Sequence, residues 1–168
     1  MIKGPDVLLD VAQRVARKRP IFVLLTGPAR GYVKRGLDRL GIPYRHEFLE
    51  DYRRLPTYYA ALDAYLNPSR EEGGPKGIIE SMAAGVPVIS TRVGMAPDLI
   101  RNRVTGWIAE PDDAEALAEA ILECEGDPSL RDAVTTQAHR AVAVCDWAEV
   151  GRRHYEQVYR PILAQQAA

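Results

Sequence analysis

The sequence predicts an α/β domain built as a doubly wound parallel sheet with helices on both faces. Short apolar runs alternate with helical stripes along the chain, the order expected of βαβ units rather than hairpins. Two of the runs, Ile21–Thr26 (IFVLLT) and Val86–Thr91 (VPVIST), are apolar without alternation, as strands covered on both faces must be. With 168 residues, 46% of them hydrophobic, the chain has material for one core of ordinary size.

Residues Asp6 to Arg19 carry Val7, Leu8, Val11 and Val15 at helical spacing, and Pro20 stops the helix. The strand Ile21–Thr26 ends at Gly27-Pro28. Val33 to Leu40 is a second helix closed by Gly41, and Tyr44 to Leu49 reads as a strand. Leu55 to Ala61 looks helical and Leu62 to Asn67 (LDAYLN) reads as a strand, followed by a polar loop from Pro68 to Gly74. The next helix spans Pro75 to Ala84, with Pro75 suited to its first position and Gly85 to its C-terminal cap. Val86–Thr91, a short helix Ala96–Arg101 and a short strand Thr105–Ala109 follow. Asp112 is expected to cap a helix reaching about Glu125, residues 128 to 141 form another, and Asp146 with Glu149 reads as a capping box for a last helix towards Ile162.

The formal net charge of −1 points away from nucleic acid and anionic membrane surfaces as partners. The basic run Arg14–Arg19 lies on a helical pattern and reads as a solvated face. Cys124 and Cys145 have no metal or redox spacing and read as free thiols. His46, His139 and His154 form no ligand spacing, and neither a metal nor a cofactor is expected. There is no signal peptide pattern, and no apolar run approaches the roughly 20 residues of a membrane helix. The expected setting is the cytoplasm, with attachment to the inner face of a membrane through other parts of a longer protein left open. Gly27-Pro28-Ala29-Arg30-Gly31 lacks the Gly-Lys-Ser/Thr ending of a phosphate-binding loop.

In doubly wound sheets ligands sit beyond the carboxyl ends of the strands. The loop from Pro68 to Gly74 leaves such an end, within NPSREEGGPKGIIESMAAGVPVIST. Gly73 and Gly74 let backbone approach a ligand closely. The helix from Pro75 offers unpaired N–H groups and a partial positive charge, both suited to phosphate. Glu72 precedes this helix, and Glu80 lies roughly 7 to 8 Å further along its axis. Two carboxylates flanking an anion site would repel phosphate, but they make sense as acceptors for hydroxyls on either side of a diphosphate. A sugar and a ribose supply such hydroxyls. Taken singly, the glycine pair reads more readily as a turn and each glutamate as a solvated residue.

Glu72 and Glu80, with seven residues between them, resemble the E-x7-E motif of family four of the retaining glycosyltransferases. So do Pro68-Ser69, the run Glu80-Ser81-Met82-Ala83-Ala84-Gly85 with Val86-Pro87-Val88, Gly94, Thr105-Gly106-Trp107-Ile108, and the helix Asp112 to Ile121. The likeness covers nearly the whole chain. It implies one half of a GT-B fold: a Rossmann-like C-terminal domain, here residues 1–168, that binds a nucleotide-sugar (UDP- or GDP-linked). It implies that Glu72 contacts the donor sugar near the reacting carbon, that Glu80 holds the ribose hydroxyls, and that Lys3, in Lys3-Gly4, pairs with the diphosphate and acts in catalysis. Gly73, Gly74, Lys76 and Gly77 complete the donor-binding set, Lys76 either adding charge near the phosphates or pointing to solvent. The implied reaction transfers a sugar to an acceptor hydroxyl with retention of anomeric configuration and without a metal. A separate N-terminal domain would hold the acceptor, a glycan or lipid-linked sugar.

Two departures stand out. Where the family has Gly-Phe-Gly, this chain has Gly73-Gly74-Pro75, and Pro75 lacks an N–H. The family's first strand, ending in Gly-Arg before the Lys-Gly pair, has no counterpart, so Ile21–Thr26 and Leu62–Asn67 are expected to lack a shared central neighbour. The chain then reads as part of a two-domain enzyme. A non-catalytic nucleotide-sugar-binding module, an inactive truncated product and an unrelated α/β phosphate-binding domain are the competing readings. His46 and Phe48 fall where the family's base-binding segment lies, and core packing is the preferred reading for them over stacking on a base.

Overall fold

In the computed structural model, which describes residues 1–28 and 30–166, strand β4 (Val88–Thr91) is buried along its whole length. Side chains alternate across a strand, so Val88 joins a cluster with Ile78, Met82 and Ile100, while Ile89 joins one with Val11, Trp107 and Leu117. β3 (Tyr65–Asn67) and β5 (Trp107–Ala109) pair with β4 on either side, all parallel, in the register Tyr65↔Val88 and Ile89↔Trp107. One face is covered by α4 (Lys76–Ala83), α5 (Ala96–Leu99) and the end of α7 (Pro128–Ala141). The other is covered by α1 (Pro5–Ala16) and α6 (Ala114–Gly126). A strand sandwiched this way has no solvated face, which is why its sequence is apolar without alternation.

A second, two-stranded sheet pairs β1 (Val23–Thr26) with β2 (Tyr44–Glu47), also parallel, joined by α2 (Gly31–Leu40). Ala12, Leu25, Val33 and Leu37 form its core. Helix α1 serves both sheets: Val7, Val11 and Val15 enter the larger core and Ala12 the smaller. Among the described residues, β1 pairs only with β2, and β3 only with β4, so the two strands have no shared neighbour. The remaining α-helices are α3 (Leu55–Tyr59), α8 (Trp147–His154) and α9 (Arg160–Gln166), the last two joined by a π turn at Tyr155–Tyr159. Among the described residues, no helix is long and apolar enough to cross a membrane.

Several expected boundaries shift, each for a local reason. β3 starts at Tyr65 because Ala61 and Leu62 donate back to Tyr58 and Tyr59 in the turn that ends α3. β2 stops at Glu47, and Phe48 beyond it is 63% exposed, so the core-packing reading of Phe48 is wrong. Asp112 does not cap α6. It takes a left-handed turn (φ 69°) and gives its carboxylate to Arg70, while Asp113 accepts the N–H of Ala116. Pro75 occupies the N-cap with ψ 95°, so α4 begins at Lys76. The capping box is half formed: Asp146 accepts from Ala148, whereas Glu149 turns to Arg152 and Arg153, two cations within reach on its own helix. Gly85 ends α4, residues 128 to 141 are helical, and both cysteines are free thiols, all as expected. Ala29, within the segment Gly27–Gly31, lies outside the described residues.

Candidate functional site

The loop from Pro68 to Gly74 leaves the end of β3 and is anchored from below by buried polar groups. Asn67, 6% exposed at the strand's last position, donates through Nδ2 to Ser90 Oγ at 3.1 Å. The Thr91 hydroxyl donates to the Ser69 carbonyl at 2.5 Å. Ser69, 1% exposed, turns its hydroxyl to the Asn67 amide oxygen at 2.9 Å and to Glu72 Oε1 at 2.8 Å. Both partners are acceptors, so the single hydroxyl proton serves them in a bifurcated bond. Buried polar groups in a low-dielectric setting bond strongly and are costly to leave unmet. The ladder Thr91–Asn67–Ser69 therefore holds the Glu72 carboxylate in place from the strand ends.

The N-terminal segment closes on the same loop. Lys3 Nζ donates to Glu72 Oε1 at 2.5 Å. Gly4, the N-cap of α1, brings it there: its φ is +56°, and a Cβ at that position would lie 1.9 Å from the Pro68 carbonyl oxygen. Only glycine fits a left-handed turn pressed against a backbone carbonyl. Arg70 ties the two segments from the other side. Its N–H donates to the Ile2 carbonyl, Nη1 to the Met1 carbonyl at 2.8 Å, and the guanidinium grips Asp6 with two bonds of 2.8 and 2.6 Å. That two-pronged contact holds the Asp6 carboxyl down at about 2, below its usual range.

The far wall is the start of α4. The first amides of a helix have no partner within it, and here they belong to Lys76 and Gly77; the Ile78 N–H is already turned back to the Pro75 carbonyl at 3.0 Å. Lys76 is exposed. Glu80, one turn on from Gly77, accepts a hydrogen bond from the Tyr59 hydroxyl at 2.9 Å. Gly94, in the turn after β4, backs the loop: with φ +52°, a Cβ there would meet the carbonyl oxygens of Glu72 and Gly73 at 2.6 Å. A Cβ at Gly73 would meet nothing within 4 Å, and at Gly74 only Met95 at ordinary contact distance. No neighbouring protein atom therefore requires glycine at positions 73 and 74.

The structure thus brings Lys3 and Glu72 into contact at the loop and sets Glu80 on the helix that follows it. Tyr59, Asn67, Arg70 and Thr91 shape the site without having been singled out from the sequence. Ser69 and Gly94 carried only the family likeness. Tyr59 and Arg70 have no local pattern that marks them, because their partners lie 21 and 64 residues away in sequence. His46 faces the Gly27 carbonyl through Nε2 at 2.6 Å, a contact within the β1–β2 pair. Among the described residues, no three of His, Cys, Asp and Glu stand together to hold a metal ion.

The model of the family described as glycosyl transferases group 1 matches residues 2–141. The chain belongs to this family. It is 31% identical over 128 residues to the lipopolysaccharide core biosynthesis mannosyltransferase LpsB of Rhizobium meliloti, covering 70% of this chain and 36% of LpsB. It is 31% identical over 157 residues to a GDP-mannose-dependent phosphatidylinositol monomannoside mannosyltransferase of Corynebacterium glutamicum, covering 87% of this chain and 40% of that protein. The chain thus spans well under half the length of these relatives. HepE of Anabaena, solved in complex with UDP, superposes with a TM-score of 0.80 at 25% identity over 95% of this chain and 46% of HepE. The C-terminal domain of a glycosyl transferase group 1 protein from Francisella tularensis superposes at 0.74 and 22% identity, covering 85% of this chain and 79% of that domain. The fold is that of a Rossmann-like GT-B half.

Proposed function

We propose that this group 1 glycosyltransferase chain supplies the nucleotide-sugar site of a retaining hexosyltransferase. The observation that carries the reading is the contact of Lys3 with Glu72 in the loop that leads from β3 into α4. A lysine beside a helix N-terminus is suited to a diphosphate, and both stabilise the charge that develops as it leaves. Lys76 and Gly77 offer the helix amides, and the open space around Gly73 and Gly74 suits close approach of the donor. Glu72 accepts from the donor sugar's hydroxyls and Glu80 from the ribose. Bound donor draws the Lys3 ammonium to the diphosphate and leaves Glu72 to the sugar. Transfer to the acceptor hydroxyl then replaces the nucleoside diphosphate at the anomeric carbon with retained configuration.

The acceptor, a glycan or lipid-linked sugar, belongs on a second domain, since orienting two substrates is much of the rate. The limited share of the relatives' length that the chain covers supports a two-domain whole. The edges of β1 and β3 support a strand between them from the same longer protein. GDP-mannose-dependent relatives and a UDP-bound structural neighbour frame the choice of donor.

Thermal melting with UDP, GDP, UDP-glucose and GDP-mannose tests the reading. A ligand at 100 times its Kd stabilises by about 2.7 kcal/mol, which raises Tm by several degrees for one base and not the other. Equal, negligible shifts with all four would refute it.

A further inference from the structure

We infer that Tyr59 is the positioning residue for Glu80, and that through it the end of α3 sets how firmly the site holds the ribose. The inference rests on reading Glu80 as the ribose-binding carboxylate. Tyr59 is the last residue of α3 and is 8% exposed, yet its hydroxyl reaches the middle of α4 and donates to Glu80 Oε2 at 2.9 Å. Burial restricts how far the ring can follow a moving partner. It packs at a tilt of 58° on Tyr65, with centroids 5.9 Å apart.

The start of α4 is shaped to admit this pair. Gly77 sits one turn before Glu80, and a Cβ there would lie 2.2 Å from the Tyr65 hydroxyl and 3.4 Å from the Tyr59 hydroxyl. The absent side chain at position 77 thus leaves room for both phenols beneath the first turn. Burial, and then the Glu80 carboxylate, push the Tyr59 phenol well above its usual range, so it remains a donor at any physiological pH. A free glutamate has three rotatable bonds and loses their freedom when it grips a ligand. Here one oxygen is already tethered, and the other presents its lone pairs from a fixed direction. Preorganisation of this kind lowers the cost of binding without adding a contact to the ligand.

A structural role for Tyr59 would act on every ligand alike, whereas a positioning role acts only through the hydroxyls that Glu80 holds. The deciding experiment titrates the 168-residue chain and its Tyr59→Phe, Tyr65→Phe and Glu80→Gln variants with UDP and GDP and their 2′-deoxy analogues. The wild-type chain is expected to prefer the ribonucleotide of its own base. Glu80→Gln abolishes that preference, and Tyr59→Phe reduces it by about 3- to 10-fold, the range of a lost hydrogen bond, while affinity for the 2′-deoxy form stays within twofold, about 0.4 kcal/mol. Tyr65→Phe, which removes a neighbouring phenol with no hydrogen bond to Glu80, leaves the preference intact and controls for packing. An unchanged preference in Tyr59→Phe, or equal weakening of both nucleotide forms, overturns the inference alone. An unchanged preference in Glu80→Gln, or a wild-type chain that binds none of the four nucleotides, overturns the ribose reading and the inference with it.

Discussion

Lys3 and Glu72 lie 69 residues apart in sequence and 2.5 Å apart in space, and the Ser69 hydroxyl donates to the same carboxylate oxygen at 2.8 Å. In this pairing the two charged groups assigned to the donor neutralise one another. With the Lys3 side chain 67% exposed, the pair itself is worth at most about 1 kcal/mol, little enough for a diphosphate to break.

That weakness gives the two partners effects of opposite sign on free nucleotide. Lys3→Ala should weaken UDP or GDP by about 10- to 100-fold, the scale of a charged hydrogen bond. Glu72→Gln should leave free nucleotide as tight or up to about fivefold tighter, because the lysine is released, and should weaken only the added affinity of the sugar. Calorimetry on the two variants checks this. Equal weakening of free nucleotide by both changes would contradict the assignment of sugar to Glu72.

Gly4→Ala tests how the lysine is delivered. A left-handed alanine costs about 1 to 2 kcal/mol, and its Cβ would fall 1.9 Å from the Pro68 carbonyl oxygen, so the segment must also move. The variant should melt several degrees lower and reproduce the nucleotide affinity of Lys3→Ala. An unchanged melting temperature would show that the N-terminal segment does not rest on this loop.

The Arg70–Asp6 clamp makes a statement about acid. Asp6 titrates at about 2 in the fold against an ordinary 3.8, so the fold favours its ionised form. The resulting stability is complete above about pH 4 and is lost as pH falls through about 2. Because the Asp6 side chain is 41% exposed, screening holds it to about 1 kcal/mol or less. Urea titrations of wild type and Arg70→Met should differ by a gap that narrows between pH 4 and pH 2. A gap independent of pH in that window would remove the clamp.

Cys124 is 2% exposed, and burial pushes its thiol up to about 11, whereas Cys145 is partly exposed. The thiolate is the reactive form. A thiol reagent at pH 7.5 should therefore label one cysteine per native chain and two in denaturant. Rapid labelling of both in the native state would contradict the packing of α6.

How much of this was legible in the sequence varies with the range of the interaction. The strands at residues 23–26 and 88–91 and the helix at 128–141 follow from apolar period and local caps, which neighbouring residues determine. Glu72 and Glu80 could be singled out as candidates because both stand in one contiguous segment. Tyr59, Arg70 and the ladder from Thr91 were not, since each acts on a partner brought near only by the sheet. Phe48 was misread because an apolar residue at a strand's end resembles core, and the strand stops one residue short of it. Asp112 and Asp113 show the limit of capping rules: both are good caps, and the Arg70 contact accompanies the left-handed turn at the first and leaves the second as cap.

The measurement that bears most directly on the central claim is calorimetric titration of this chain and of Glu80→Ala with UDP, GDP, UDP-glucose and GDP-mannose. The donor-site account predicts that one base is bound and that Glu80→Ala weakens it by about 1 to 3 kcal/mol. A folded chain that binds none of the four, or binds one with an affinity that Glu80→Ala leaves unchanged, would contradict it.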